Sequence, residues 1–188
     1  MLEADVQWRS LGDFPRVGEV VEDGATFAEN ARKKATEYAR ATGLWTLADD
    51  SGLVVDALDG APGVQSARFS GERPAGEDRS LLDHRNMEKV LELLQGVPPE
   101  KRTARFVCCL CLASPEKVLI ETEGTVEGLI GEREIGTNGF GYDPIFFVPQ
   151  LGKTAAQLTA KEKNAISHRG NAIANLQRLL PKLLADND

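Results

Sequence analysis

Apolar residues recur at helical spacing in two separate parts of the first half of the chain. In the first part, Thr26 and Glu29 form a capping box that opens a helix, and Gly43 is its natural stop. In the second part, residues 77–95 carry an apolar stripe that is followed by glycine and proline. The pattern therefore predicts two amphipathic helices.

The C-terminal part of the chain predicts two consecutive helices. Thr159 and Glu162 form another capping box, and Ser167 has the residue type that caps a further helix, which runs to about Leu184. Pro181 lies inside this last pattern. We expect it to kink or end the helix, because proline lacks a backbone N–H and clashes with the preceding turn.

Short apolar runs between these helices predict the strands. Residues 103–113 are apolar on both faces, as expected of a central strand. The other predicted strands cover residues 44–48, 53–58, 117–122, 125–130 and 145–148. Because helices and strands are intermixed, the chain predicts an α/β or α+β fold with a mixed sheet, in which a hairpin lobe faces a helical lobe.

Length and charge restrict the possible functions. A length of 188 residues fits one two-lobed domain that spans residues 1–188. With 22 Lys and Arg against 29 Asp and Glu, the net charge is −7, whereas a duplex-binding surface normally needs a basic excess. A small phosphate site needs only a few cations and a metal ion. The charge therefore argues against a nucleic-acid partner but not against a nucleotide ligand.

Run lengths and cysteine positions favour a reduced, cytoplasmic protein. No apolar run approaches the ~20 residues that a membrane helix needs, and the chain opens without a signal-peptide pattern. Cys108, Cys109 and Cys111 share one apolar run, lack zinc-ligand spacing and are odd in number. We therefore expect small core residues at these positions, no membrane partner and a cytoplasmic location.

Two acidic segments are candidate metal ligands. Asp49-Asp50-Ser51-Gly52 follows a predicted buried strand, where adjacent carboxylates repel each other and a bound Mg²⁺ removes that cost. A plain turn explains the same residues, and on this segment alone we favour the turn. Glu22 precedes the first helix, where compensation of the helix dipole explains it equally well. Lys34 flanks the apolar stripe of that helix and can point into a cleft, although lysines are more commonly solvated.

The glycine-rich loop of residues 136–144 contains groups suited to a nucleotide base. Phe140 can stack on a base, and Asp143 can accept a hydrogen bond from a base N–H. A hairpin-type loop with a buried phenylalanine is an equally good interpretation.

The segment around Ser167 contains groups suited to a phosphate or to base oxygens. If Ser167 caps a new helix, the bend lets Lys163 and His168 converge, and it places His168 and Arg169 in a donor-rich first turn. A capped helix start with a solvent-facing histidine and arginine explains the same residues.

Together these segments closely resemble the inosine/xanthosine triphosphate pyrophosphatase family from about residue 10 to the C-terminus. The strings that carry the resemblance include Gly24-Ala25-Thr26-Phe27, Ala48-Asp49-Asp50-Ser51-Gly52-Leu53, Gly60-Ala61-Pro62-Gly63, Gly139-Phe140-Gly141-Tyr142-Asp143-Pro144, Gly152-Lys153-Thr154-Ala155-Ala156 and Glu162-Lys163-Asn164-Ala165-Ile166-Ser167-His168-Arg169-Gly170. The resemblance implies a two-lobed α/β fold with an elongated mixed sheet flanked by helices, usually as a homodimer. It also implies Mg²⁺-dependent hydrolysis of dITP, ITP and XTP to the monophosphate and pyrophosphate, which cleanses the nucleotide pool.

The resemblance also implies roles for individual residues. Asp50 corresponds to the catalytic acid/base residue and a metal ligand, Glu22 to the second metal-binding acid, and Asp49 to its neighbour in the metal set. The implied substrate contacts are Ser51, Lys34, Phe140, Gly141, Tyr142, Asp143, Lys163, His168 and Arg169.

The chain departs from the family pattern at its start. Family members open with a strand and a T/S-G-N-x-x-K loop that cradles the triphosphate, and Met1 falls after that region. We expect a start site assigned too late, since the other site segments are present. One alternative is a catalytically impaired nucleotide-binding protein that lacks the loop. Another is a pyrophosphatase for other modified or pyrimidine nucleotides.

Overall fold

The computed structural model describes residues 6–185, which contain both helices and strands. The helices are α1 (Phe27–Thr42), α2 (Arg79–Leu93), α3 (Ala160–Ile166) and α4 (His168–Ala185). The strands are β1 (Thr46–Val55), β2 (Thr103–Ala113), β3 (Val118–Ile130), β4 (Phe146–Val148) and β5 (Lys153–Thr154). The predicted α/β class is confirmed. No helix in the described part of the chain combines the length and the apolar character that crossing a membrane requires.

The strands form one sheet in the order β1-β2-β3-β4-β5. β4 pairs antiparallel with both β3 and β5, and β2 and β3 are joined by only four residues, too few for a parallel crossover. The Thr103 hydroxyl donates to Asp56 at 2.7 Å, which brings the end of β1 to the start of β2, as in an antiparallel pair. The described sheet is thus antiparallel, whereas the sequence predicted a mixed one.

The chain divides into two compact units. The described residues of unit 1 are 6–50, 108–124 and 169–185, and those of unit 2 are 51–107 and 125–168. The buried core of unit 1 contains Cys108, Leu110, Leu112, Ile120, Ala172 and Leu176. The buried core of unit 2 contains Leu53, Val55, Met87, Val90, Leu94, Ala104, Ile130, Tyr142, Ile145, Phe146, Val148 and Ala155. All three cysteines are buried free thiols, as predicted.

The capping signals in the sequence set the helix boundaries. Thr26 and Glu29 form their capping box, and Gly43 ends α1 with a φ of 72°, a left-handed conformation that glycine adopts at little cost. Ser167 separates α3 from α4, as predicted. Pro181 does not end α4, because Leu180 and Leu183 on either side of it pack against the core of unit 1. Tertiary packing here outweighs the cost of the proline.

Two predicted interruptions of strands are wrong. β1 continues through Asp49-Asp50-Ser51-Gly52, where the sequence predicted a turn, and β3 continues through Gly124. Turn propensity is a weak local preference, whereas Leu53 and Val55, which follow the polar residues in β1, are fully buried in unit 2. The acidic pair is therefore displayed from an extended strand.

Candidate active site

A cluster of charged groups in unit 1 surrounds the half-buried carboxyl group of Asp50. Asn30 donates to Asp50 Oδ2 at 3.0 Å, and Lys34 Nζ lies 3.4 Å from Asp50 Oδ1. The same ammonium lies 3.0 Å from Glu22 Oε2. One lysine therefore holds two carboxylates.

Helix α1 and the segment before it build this cluster. Asn30 and Lys34 are four residues apart and so lie on the same side of α1. Asn30 is fully buried and accepts a hydrogen bond from Gly24 N–H at 2.8 Å, while its amide group donates to Asp50. A Cβ atom at Gly24 would lie 2.7 Å from Asn30 Oδ1, so only glycine allows this approach. The contact holds the segment that carries Glu22 against α1.

The charged groups around Asp50 shift its pKa. Burial raises the pKa of Asp50, and the nearby Glu22 carboxylate raises it further, although Lys34 and Asn30 act in the opposite direction. Two carboxylates share one ammonium, and all the acidic donors are oxygens. That donor set fits a hard divalent cation, which binds through one or two carboxylates together with water and phosphate oxygens. Within residues 6–185, no three His, Cys, Asp or Glu side chains form a metal-binding group.

Asp49 does not join the other two acids. Adjacent residues of a strand point to opposite faces. Asp49 Oδ2 accepts from Arg169 at 2.6 and 3.2 Å, whereas Asp50 contacts Asn30 and Lys34. The structure therefore brings together Glu22, Lys34 and Asp50 and pairs Asp49 with Arg169. The turn expected at this segment would not have separated the acids in this way.

The loop of residues 136–144 in unit 2 presents an exposed aromatic ring. Phe140 is 67% exposed, so the alternative of a buried phenylalanine is wrong. Asp143 is buried, and its carboxylate accepts from Phe140 N–H at 2.9 Å and contacts the Lys163 ammonium. That ammonium also lies 4.9 Å from the centroid of the Phe140 ring. Gly139 has a φ of 79°, and a Cβ atom there would clash with Asp143 Oδ2, so glycine is required at this position. Asp143 thus organises the loop, and Phe140 and Lys163 form its accessible surface.

The two residues between Phe140 and Asp143 anchor the loop. Gly141 has a φ of 59°, and its N–H donates to Asp83 at 2.9 Å. Tyr142 is buried in the core of unit 2, and its hydroxyl donates to the carbonyl of Ser66 at 2.8 Å. Burial raises the pKa of the Tyr142 hydroxyl, with a further contribution from the charge of Asp83, so this phenol stays protonated.

The remaining predicted contacts lie at the break between α3 and α4 and in β1. The ring of His168 stacks on that of Phe106 in unit 2, with centroids 5.1 Å apart. Arg169 bonds to Asp49 in unit 1, so consecutive residues contact different partners. Ser51 follows Asp50 in β1 and is half-buried.

Two residues of these clusters were not predicted as site residues. Asn30 and Asp83 are polar residues on the buried faces of α1 and α2. Burying such groups is unfavourable unless they are hydrogen-bonded, and both bond to site segments. The sequence could have indicated both residues, because each is a polar residue at a position where the helical spacing predicts an apolar one.

Comparisons with known proteins identify the family of the chain. The chain matches the Ham1 family over residues 1–179. It is 50% identical over 180 residues to a dITP/XTP pyrophosphatase from Listeria monocytogenes, a match that covers 96% of this chain and 85% of that protein. A dITP/XTP pyrophosphatase from Shouchella clausii is 52% identical over 172 residues, which cover 92% of this chain and 83% of that one. The structure of a HAM1 protein from Coxiella burnetii matches with a TM-score of 0.86 and 41% identity over 96% of this chain and 88% of that chain. The chain therefore belongs to the Ham1 family.

Proposed function

We propose that the chain hydrolyses non-standard purine nucleoside triphosphates, namely dITP, ITP and XTP, to the monophosphate and pyrophosphate. Relatives that are half identical over most of the chain carry the name of that activity. The observation that carries the proposal is the cluster in which Lys34 contacts both Glu22 and Asp50. Such a cluster suits a phosphate-bound divalent cation, and it offers both a carboxylate base and a cation for phosphate oxygens.

The proposed cofactor is Mg²⁺, held by Glu22 and Asp50. When bound, it neutralises negative charge on phosphate oxygens and on the leaving pyrophosphate. The donor set described above supports this choice, because both groups are carboxylates that approach the same Lys34 ammonium. Asp49 is the predicted third acid, and its pairing with Arg169 makes it the least supported member of the metal set.

The reaction needs one water molecule and one base. Asp50 orients the water and accepts its proton, while the water oxygen forms a bond to the α-phosphorus. The bond between the α-phosphorus and the bridging oxygen to the β-phosphorus breaks, and pyrophosphate departs with the bonding electrons. Asn30 keeps the Asp50 carboxylate in one orientation through its hydrogen bond. Lys34 places a positive charge beside the developing negative charge on the phosphates.

Groups of unit 2 are proposed to recognise the base. The exposed Phe140 ring offers a stacking face, and Lys163 beside it offers N–H donors. A donor favours a purine with oxygen at C6 and leaves the amino group of adenine unpaired, which costs about 1–3 kcal/mol. His168 is a second proposed donor. Ser51 and Arg169 remain predicted substrate contacts, while Gly141, Tyr142 and Asp143 act through the shape of the loop.

The oligomeric state and the cellular location are inferred from the family resemblance and from the sequence. We propose that the protein acts as a homodimer in the cytoplasm. Light scattering at several concentrations measures the mass in solution, and a mass of one chain at every concentration would contradict the dimer.

The function is tested by measuring pyrophosphate release. ITP, XTP and dITP are compared with ATP, GTP, CTP and UTP, with Mg²⁺ and with excess chelator. We expect turnover of the first three only, and none once the metal is chelated. Preferential turnover of a pyrimidine nucleotide would favour the rival substrate class. A folded chain with no turnover of any nucleotide would favour the impaired nucleotide-binding protein.

A further inference from the structure

Helix α2 buries a carboxylate that the proposed chemistry does not use. Asp83 is 8% exposed and lies on the same face of α2 as Met87 and Val90, which belong to the core of unit 2. One carboxylate oxygen accepts from Arg79, which lies one turn earlier and is largely exposed. The other oxygen accepts from Gly141 N–H at 2.9 Å. Burying a carboxylate on the face of a helix is unfavourable unless it is paired and hydrogen-bonded. The contact with Gly141 outside the helix therefore indicates a role for Asp83 beyond packing.

That partner lies in the loop that displays Phe140. Phe140 N–H is bonded to Asp143 and the Tyr142 hydroxyl to the Ser66 carbonyl. The bond from Gly141 to Asp83 ties the intervening backbone to α2. Successive residues of the loop are thereby fixed, while the Phe140 ring itself stays exposed. A ring fixed in advance loses less conformational entropy when a ligand stacks on it.

We infer that Asp83 is a positioning residue that holds the Phe140 loop in the conformation that receives the purine base. The inference rests on the proposed function, because the ligand it positions for is the substrate base. Asp83 acts through Gly141 and does not touch the substrate. A purely structural carboxylate would affect stability alone, whereas a positioning carboxylate also affects base binding.

The variants distinguish the loss of the hydrogen-bond acceptor for Gly141 from the loss of packing in the core of unit 2. Asp83→Leu removes the acceptor and fills the position with a larger apolar side chain, and Asp83→Ala is the second acceptor-free variant if the first does not fold. Asp83→Asn retains an oxygen that can accept from Gly141. Val90→Ala removes buried atoms two turns further along α2 and leaves the loop contact intact. Each variant is compared with the parent chain for melting temperature, Gly141 amide exchange, and KM and kcat for ITP.

We expect base binding to weaken in the variants that lack a hydrogen-bond acceptor for Gly141 N–H. Without it, Gly141 amide exchange should rise roughly tenfold or more, and KM for ITP roughly 2–10-fold with kcat nearly unchanged. Asp83→Asn should stay close to the parent chain, and Val90→Ala should lower the melting temperature without changing KM. The inference is overturned if the acceptor-free variant keeps the parent exchange rate and KM, or if Val90→Ala raises KM equally. A parent chain that turns over no nucleotide would instead refute the proposed function, which the same assay reveals first.

Discussion

The charged cluster around Asp50 and the loop around Phe140 are built in opposite ways. In unit 1, helix α1, strand β1 and the segment before α1 place two carboxylates around one ammonium, and the pKa of Asp50 is raised by burial and by Glu22. In unit 2, the carboxylate of Asp143 is satisfied by the Phe140 N–H of the loop and by the Lys163 ammonium of α3, and an aromatic ring is left exposed. Neighbouring carboxylates suit a site that binds a cation, whereas a loop held by its own hydrogen bonds suits a site that is shaped before the ligand arrives.

The largest effect is expected from neutralising Asp50. Asp50→Asn keeps the shape of the side chain but removes the base and a proposed metal ligand, so turnover should fall by about 10²–10⁴-fold. Because burial raises the pKa of Asp50, the neutral amide should not lower the melting temperature. Pyrophosphate release and thermal unfolding measure both effects.

Asp56→Asn is the matched control for that variant. Asp56 follows β1 and pairs with Thr103 and Arg105 at an exposed position. Its replacement should leave turnover within a factor of about two, as for most surface changes. Near-normal activity of Asp50→Asn would contradict the role given to Asp50 and the contrast between the two regions.

A smaller loss is expected from removing the ammonium of the cluster. Lys34→Ala deletes the cation that contacts Glu22 and Asp50, and kcat/KM should fall by about 10–100-fold, in the range of a charged hydrogen bond. The adjacent lysine provides a control. Lys33 pairs with the exposed Asp23, so Lys33→Ala should have little effect on kcat/KM. Equal losses in the two variants would show that general surface charge, rather than the cluster, attracts the phosphates.

The sequence predicted those parts of both regions that local rules determine. Capping residues predicted the ends of α1 and the break at Ser167, and the exposed or buried state of Phe140 was left open. The polar residues in the middle of β1 were misinterpreted as a turn, because composition favours a turn there and the pairing of strands is not visible locally. The sequence therefore predicted helix boundaries more accurately than strand boundaries.

The sequence did not predict which residues far apart in the chain contact each other. Asn30 contacts Asp50 and Asp83 contacts Gly141, at separations of 20 and 58 residues. Arg169 contacts Asp49 across 120 residues, a pairing that the sequence did not predict. No periodicity or spacing rule specifies such pairs, because they arise only when distant segments pack.

Replacing the ring of Phe140 should weaken base binding more than it slows chemistry. Phe140→Ala removes the stacking face, and a loss of at least about 1 kcal/mol corresponds to about a fivefold rise in KM for ITP with a smaller change in kcat. Phe140→Tyr keeps an aromatic face and serves as the control. Because the ring is exposed, the melting temperature should not fall in either variant. A kcat loss as large as that of Asp50→Asn would show that the loop takes part in the chemical step.

The smallest effect is expected from replacing Asp49. This variant tests whether Asp49 and Asp50 both bind the metal or have separate roles. Asp49→Asn breaks an ion pair with Arg169 in which both side chains are more than a third exposed, and such pairs contribute about 0–1 kcal/mol. We therefore expect kcat/KM to stay within about fivefold of the parent chain and the Mg²⁺ concentration for half-maximal activity to stay unchanged.

A rise in that Mg²⁺ requirement would instead place Asp49 in the metal set with Glu22 and Asp50. Arg169→Ala completes the comparison, because it breaks the same ion pair from the other side. If it raises KM while Asp49→Asn does not, Arg169 contacts the substrate through a role separate from the pair. If the two variants match, Arg169 serves mainly to hold Asp49 away from the cluster around Lys34, and one strand then keeps two adjacent acids in different roles.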